Sequence, residues 1–194
     1  APKIEELVFR VHGKKAHAGN EPEKGLNALK GAANVLCDIR EGRLDNETTA
    51  NWSVITAGQV TNVVGDLAEG HGEVRSHCDE KVRSYEEYVK KHLAEKLKDT
   101  GLTFDFEVRP NHGSFRVFED GRCLLRLKEA FDKCGFRCET EIGGGGMDAN
   151  VINENGIECV GVAVGYMKNH TTEEMQYVKD LIKAGQLVKE LVSC

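Results

Sequence analysis

The sequence predicts an α/β (α+β) protein in two parts. Residues 1–108 read as a ferredoxin-like β-α-β-β-α-β unit, and residues 109–194 as a portion of a larger α/β domain. Three observations carry this. Before Pro110, four short segments alternate apolar with polar residues, and two long ones repeat apolar residues at helical spacing. After Asn111 helices are separated by short strand-like segments, one nearly continuous in apolar residues, as in strands covered on both faces. Only two such strands serve three helices, whereas an ordinary sheet has about four to six strands.

The first strand is Leu7–His12, and Gly13–Gly19 is a loop. Asn20 then reads as an N-cap, with Pro22 in the first turn and Glu23 completing a capping box. The helix it opens runs to about Arg40, with Leu29, Ala32, Ala33, Leu36 and Ile39 on one stripe. Trp52–Ala57 and Leu67–Ser76 are the next strands. In the latter, Ala68, Gly70, Gly72 and Val74 take one face and Glu69, His71, Glu73 and Arg75 the other. Small residues on the first face suggest closely packed helices, and the polar face would be open. A helix over about Glu80–Lys98 carries Val82, Tyr85, Val89, Leu93 and Leu97. The unit's last strand alternates Leu102, Phe104, Phe106 and Val108.

In the second part, a helix over about Cys123–Cys134 buries Leu124, Leu127, Phe131 and Cys134. A strand over Arg137–Ile142 runs into Gly143–Gly146, and a short helix over Asp148–Glu154 stops at Asn155-Gly156. Cys159–Val164 is the apolar run. The loop Gly165–Thr172 leads to a final helix carrying Val178, Leu181, Ile182, Leu187, Val188 and Leu191.

With 194 residues, 40% hydrophobic and 30% charged, the chain reads as soluble and globular. Such a chain buries roughly 70% of its unfolded surface and needs no disulfide scaffold. No apolar stretch of about 18 residues is present, so no membrane span is expected. No basic segment followed by an apolar run opens the chain, so no signal peptide is expected either. The net charge of −6 comes from 26 basic and 32 acidic residues. With no Lys/Arg-dense run, this argues against nucleic acid and anionic membrane as partners. The seven cysteines form no C-x-x-C pair and no zinc knuckle, and read as free thiols in a reducing cytoplasm.

Four spots could carry chemistry. His17, in a small-residue loop, is either an ordinary surface histidine or a donor to an anionic or carbonyl group. Asn62, with Arg75 a strand away, is either a turn residue beside a surface cation or part of a carboxylate grip. Gly143–Gly146 let a backbone approach a ligand closely, yet form neither a Walker A loop nor a G-x-G-x-x-G turn. His170 follows a strand and precedes a helix, where α/β sheets place ligand sites, although a metal site needs three or four ligands.

Taken in order, several segments resemble the co-catalytic zinc metallopeptidases related to peptidase T, carboxypeptidase G and aminoacylase, the peptidase-T-like group above all. They are His12–Gly19, Pro22–Gly25, Thr48–Asn51, Thr61–Val64, Glu73–Ser76, Gly144–Asn150 and His170–Thr172. The resemblance implies that residues 1–108 form a lid and dimerisation domain, and 109–194 the closing part of a two-zinc catalytic domain. His17 then takes the place of the lid histidine that reaches the partner subunit's active site and steadies the tetrahedral intermediate. Asn62 and Arg75 take places that grip substrate. Gly144, Gly145 and Gly146 take places whose backbone faces it, and His170 takes that of the last zinc ligand. The implied substrate is a small peptide or acylated amino acid, and the implied assembly a homodimer through the lid.

The departures are as informative. The family's opening half, with its H-x-D, bridging Asp, Glu-Glu pair and further acidic ligand, has no counterpart. His77-Cys78-Asp79 matches H-x-D by letters alone. Glu173-Glu174 follows the last ligand and is expected to open the final helix. Met147 stands where relatives carry Ser or Thr, which removes a hydroxyl. The chain alone is therefore expected to be inactive; the alternative is a non-catalytic dimerisation module.

Overall fold

The computed structural model describes residues 1–193, so Cys194 lies outside the described residues. The other six cysteines are free thiols. The described residues form two compact units, one of residues 1–114 with 144–146 and the other of 115–143 with 147–193.

The first unit contains β1 (Lys3–His12), α1 (Ala28–Asp38), β2 (Gly42–Arg43), β3 (Thr48–Ala57), β4 (Leu67–Ser76), α2 (Asp79–Leu97) and β5 (Thr103–His112). The strands form one antiparallel sheet in the order β2-β3-β4-β1-β5. Setting aside the two-residue β2, this is the ferredoxin-like order. The two helices bury Val35, Val82, Val89 and Leu93 against Leu7, Phe9 and Val11 of β1.

In β4, Ala68, Gly70, Gly72 and Val74 are buried while Glu69, His71, Glu73 and Arg75 are not, as the alternation requires. Both α1 and α2 pack against β4 as the small residues suggest, and the glycines also make room for side chains of the neighbouring strands. A Cβ on Gly70 would meet Phe9 at 2.4 Å, and one on Gly72 would meet Trp52 at 2.5 Å. The two rings lie 5.4 Å apart between centroids. The Trp52 indole N–H donates to Tyr85 Oη at 3.1 Å, and burial raises the Tyr85 phenol to about 12.

The first helix begins later than its signals suggest. Pro22–Lys24 make only a 3₁₀ turn, and Lys14 pairs with an extended Leu26. The cap is Asn27, whose Oδ1 accepts from the Lys30 N–H at 3.1 Å. A tertiary bridge thus overrides a plausible local start at Asn20. At its far end β5 runs through Pro110 to His112, as a sheet-edge strand tolerates.

Glu86 of α2 faces Glu5 of β1, with Glu86 Oε1 shielded and unpartnered. Burial first, then Glu5, raises the Glu86 carboxyl to about 7, against an opposing effect of Lys3. Between about pH 4.5 and 7 the folded state then holds a proton that the unfolded chain has lost, so stability falls as pH rises. Glu86→Gln should remove that slope and be the more stable form above pH 7 in urea titrations.

The second unit contains α3 (Arg122–Lys133), α4 (Asp148–Glu154), β6 (Tyr166–Met167), β7 (Met175–Gln176) and α5 (Val178–Val192). Leu127 and Ala130 of α3 and Leu187 of α5 form its small core, with Phe131, Val160 and Leu191 packed around them. Arg137–Ile142 and Cys159–Val164, expected as strands, have no strand pairing in the described residues. An apolar run expresses a demand for burial, while a strand also requires a hydrogen-bonded neighbour. Val162, Val164, Leu181, Ile182 and Val188 accordingly stay exposed. No helix of the described residues is long and apolar enough to cross a membrane.

Candidate functional site

The structure gathers the lid candidates at two ends of one sheet. At the first end, β1 hands over to the loop carrying His17 where His12 pairs with Leu67. That loop zips against the segment before β4. Ala18 N–H donates to Asn62 O at 3.0 Å, and Val64 N–H to Ala16 O at 3.0 Å. An isolated bridge joins His17 to Val63. Residues 45 positions apart thus become neighbours, and His17 and Asn62 are both exposed.

The His17 ring is oriented by its own loop. The N–H groups of Gly19 and Asn20 donate to Nδ1 at 3.1 and 3.2 Å. An Nδ1 that accepts carries no proton, so in the neutral ring the proton is on Nε2. His17 therefore offers an exposed Nε2–H donor.

Arg75 belongs to the opposite end of β4, where it pairs with Ile4 and Thr49. At about 3.4 Å per residue, the eight steps from Leu67 to Arg75 span about 27 Å. Glu73 grips the guanidinium, with Arg75 Nε donating to its Oε1 at 2.7 Å. Arg75 Nη1 reaches Gly144 O at 3.4 Å. Gly146 lies so close to His112 that a Cβ there would meet the ring at 2.3 Å. Gly145 has nothing near its Cβ position. The strand ends here are tied by Thr48 Oγ1 and Ser76 Oγ, a buried hydrogen bond of 3.0 Å. Two segments of the family motif, Thr48–Asn51 and Glu73–Ser76, are thus partly structural.

His170 is in the second unit, in the loop between β6 and β7, with a left-handed φ of 62°. Its N–H donates to Glu174 Oε2 at 2.9 Å, and Lys168 Nζ to Glu173 Oε2 at 2.6 Å. Glu173 and Glu174 were expected to open the last helix; they brace the His170 loop instead, and α5 begins only at Val178. Met147 caps α4, its N–H donating to Oδ1 of the buried Asn150 at 3.0 Å. A Cβ on Gly161 would meet Met147 Sδ at 2.3 Å, so the thioether packs directly on the bare Gly161 backbone. Cys78 and Asp79 of the apparent H-x-D are the cap and first turn of α2.

The described residues contain no group of three or more His, Cys, Asp or Glu placed to hold a metal ion. The two-zinc centre implied by the resemblance is therefore not made by these residues, and His170 alone does not make a site.

Comparison with known proteins matches this geometry to a family. The family described as Peptidase dimerisation domain (M20_dimer) matches residues 4–101. The uncharacterized protein YqjE of Bacillus subtilis is 35% identical over 193 residues, covering 99% of this chain and 52% of its own length. Among solved structures, aminopeptidase PepT from Bacillus cereus is 35% identical with a TM-score of 0.78, over 98% of this chain and 51% of that one. A tripeptidase from Staphylococcus aureus is 29% identical with a TM-score of 0.83, over 98% and 51% respectively. The chain spans about half the length of these relatives. With its dimerisation domain matched and peptidases aligned along nearly all its length, the chain belongs to the M20 peptidase family.

Proposed function

We propose that this chain is the lid and C-terminal catalytic portion of a cytoplasmic, zinc-dependent, peptidase-T-like aminopeptidase of small peptides. In this reading residues 1–108 are the lid and 109–194 belong to the catalytic domain. One observation carries the assembly. His17 and Asn62 lie in loops beyond the Leu67 end of β4, which is about 27 Å along the strand from Arg75, whereas a tripeptide extends only about 10 Å. The two groups act on one small substrate only when they come from two chains. His17 Nε2–H of one copy would then donate to the carbonyl oxygen as it gains charge. Arg75 of the other, held by Glu73, would bind a carboxylate.

The surface supports a homodimer. The outer edge of β3 is paired by β2 only at Thr49 and Ala50, and Val54 and Ile55 beyond are exposed. Such an edge accepts a second strand. On α1, Leu29, Ala33 and Cys37 are exposed at four-residue spacing, which puts them on one stripe. The exposed apolar side chains of α5 and of the Cys159–Val164 run fit a catalytic half that supplies the missing cover.

The 194-residue chain, given zinc or cobalt, should leave di- and tripeptides intact and scatter light as a dimer. Cleavage abolished by His170→Ala would overturn the first expectation; a well-folded monomer would overturn the second. An in-frame coding extension before Ala1 of about 170–180 residues, a usual domain length, should carry the missing ligands. In that longer polypeptide His17→Ala should lower kcat about 10²–10³-fold, as for other oxyanion donors. Arg75→Ala should chiefly raise KM. Dimerisation with no peptidase activity in the longer polypeptide would favour the non-catalytic module.

A further inference from the structure

The open face of the first unit's sheet carries a closed ring of alternating charges. Arg10 of β1 is ion-paired with Glu69 of β4, and its Nη1 lies 3.1 Å from Glu107 of β5. Glu69 Oε1 is 2.9 Å from His71 Nε2, and His71 Nδ1 is 2.9 Å from Glu6 Oε1. Glu6 is 3.7 Å from Arg109 Nη1, and Arg109 Nε is 2.7 Å from Glu107 Oε1, which closes the circuit. At its centre is Val8, cross-strand partner of both His71 and Glu107. Val8 is 0% exposed, although α1 and α2 pack on the opposite face, against Leu7, Phe9 and Val11.

Three members are carboxylates, two are guanidiniums and one is an imidazole. Both ring nitrogens of His71 face carboxylate oxygens. A neutral imidazole has one N–H, so its other nitrogen would set a lone pair against a carboxylate. Only the imidazolium satisfies both contacts, and it also balances three negative charges with three positive ones. The groups facing His71 are Glu6 and Arg10 on β1, Glu69 and Glu73 on β4, and Glu107 and Arg109 across Val8 on β5. Residues 51–55 of β3, on its other flank, are uncharged.

We propose that His71 is the proton-dependent closure of this ring: protonated, it completes the roof over Val8; deprotonated, it opens the roof and leaves an excess negative charge on the face. The proton passes to solvent and no bond other than N–H is broken. An open cavity beside the ring, lined by Asn51, Ser53, Glu73 and Asn111, shares Glu6 and His71 with it, so its polarity follows the same proton. Hydrogen bonds donated by His71 to Glu6 and then to Glu69 raise the His71 pKa. Arg109 and then Arg10 hold Glu107 down at about 2, so its charge persists across the neutral range.

The test is a titration of the histidine rings in the full chain by ¹⁵N NMR. His71 should titrate above the ordinary value of about 6.5, and at that pH both nitrogens should be mainly protonated. Glu6→Gln and Glu69→Gln should each lower the midpoint. In urea titrations the stability advantage of the parent over His71→Gln should be present below about pH 6.5 and lost as pH rises through the His71 midpoint. Glu86 titrates in both proteins and cancels from the comparison. A midpoint at or below the ordinary value, or one unmoved by both glutamine variants, would overturn the proposal. Should His71→Gln fail to fold, the ring titration of the parent decides alone.

Discussion

Gly13→Ala is expected to destabilise the first unit by about 1–3 kcal/mol, the usual range for overpacking, and to displace the loop that presents His17. The added Cβ would lie 2.0 Å from Leu26 O, 3.0 Å from Leu26 C and 3.2 Å from Ala28 N. All three are backbone atoms, so no side chain can swing aside. The clash falls on a held segment, where Lys14 and Leu26 exchange two hydrogen bonds of 2.9 Å. Relief requires parting that bridge, and the pairing of Ala16 with Val64 follows a few residues on. Urea denaturation should show the loss, and hydrogen exchange should show faster amides at Lys14 and Val64. Gly19→Ala is the control: its Cβ would meet nothing nearer than the His17 ring at 3.6 Å, an ordinary contact. A Gly13→Ala protein with parental stability and protected amides would refute this account of the loop.

Phe9→Ala should cost about 3–5 kcal/mol, as expected for removing a buried aromatic ring. Phe9 is wholly buried and covers Gly70, which has no side chain to move into the space. The neighbouring Trp52 is held by its hydrogen bond to Tyr85. The cavity therefore collapses poorly, which places the cost at the upper end. The glycine makes the pair interdependent. Gly70→Ala should be strongly harmful beside Phe9 and much less so beside leucine at that position, so a double-mutant cycle should show coupling. The measurement is the denaturant midpoint at unchanged slope. A loss below about 1 kcal/mol for Phe9→Ala, outside the range for such truncations, would mean that the ring is not packed as described.

The elements legible in the sequence are those whose signal is contained within them. The alternation of Leu67–Ser76 declares both faces of β4, and the apolar spacing of Val82, Tyr85, Val89 and Leu93 declares α2. What local pattern misses is decided by partners. Leu26 is extended because Lys14 pairs with it, so Asn27 caps the helix in place of Asn20. Cys159–Val164 has a strand's composition but no strand beside it.

The site follows the same rule. His17, Asn62, Arg75 and His170 were identifiable as chemistry-bearing residues, and each had an ordinary structural alternative when considered alone. The adjacency of His17 and Asn62, and their separation from Arg75, depend on strand register. The ring around Val8 needs the register of three strands at once; its only advance sign is the run of charged and imidazole side chains on one face of β4. The support of His170 by Glu174 was marked in sequence only by an acidic residue four positions on.

The tilted contact of Trp52 with Phe9 has a practical corollary. Trp52 is the chain's single tryptophan, so its indole is a built-in optical label for the sheet's helix-covered face. Its emission should shift to longer wavelength when Phe9 and Tyr85 withdraw and water reaches the ring. Residues 115–193 contribute no indole, so fluorescence follows the first unit alone while far-ultraviolet circular dichroism follows both. Divergent melting curves would separate the unfolding of the two units without labelling or truncation.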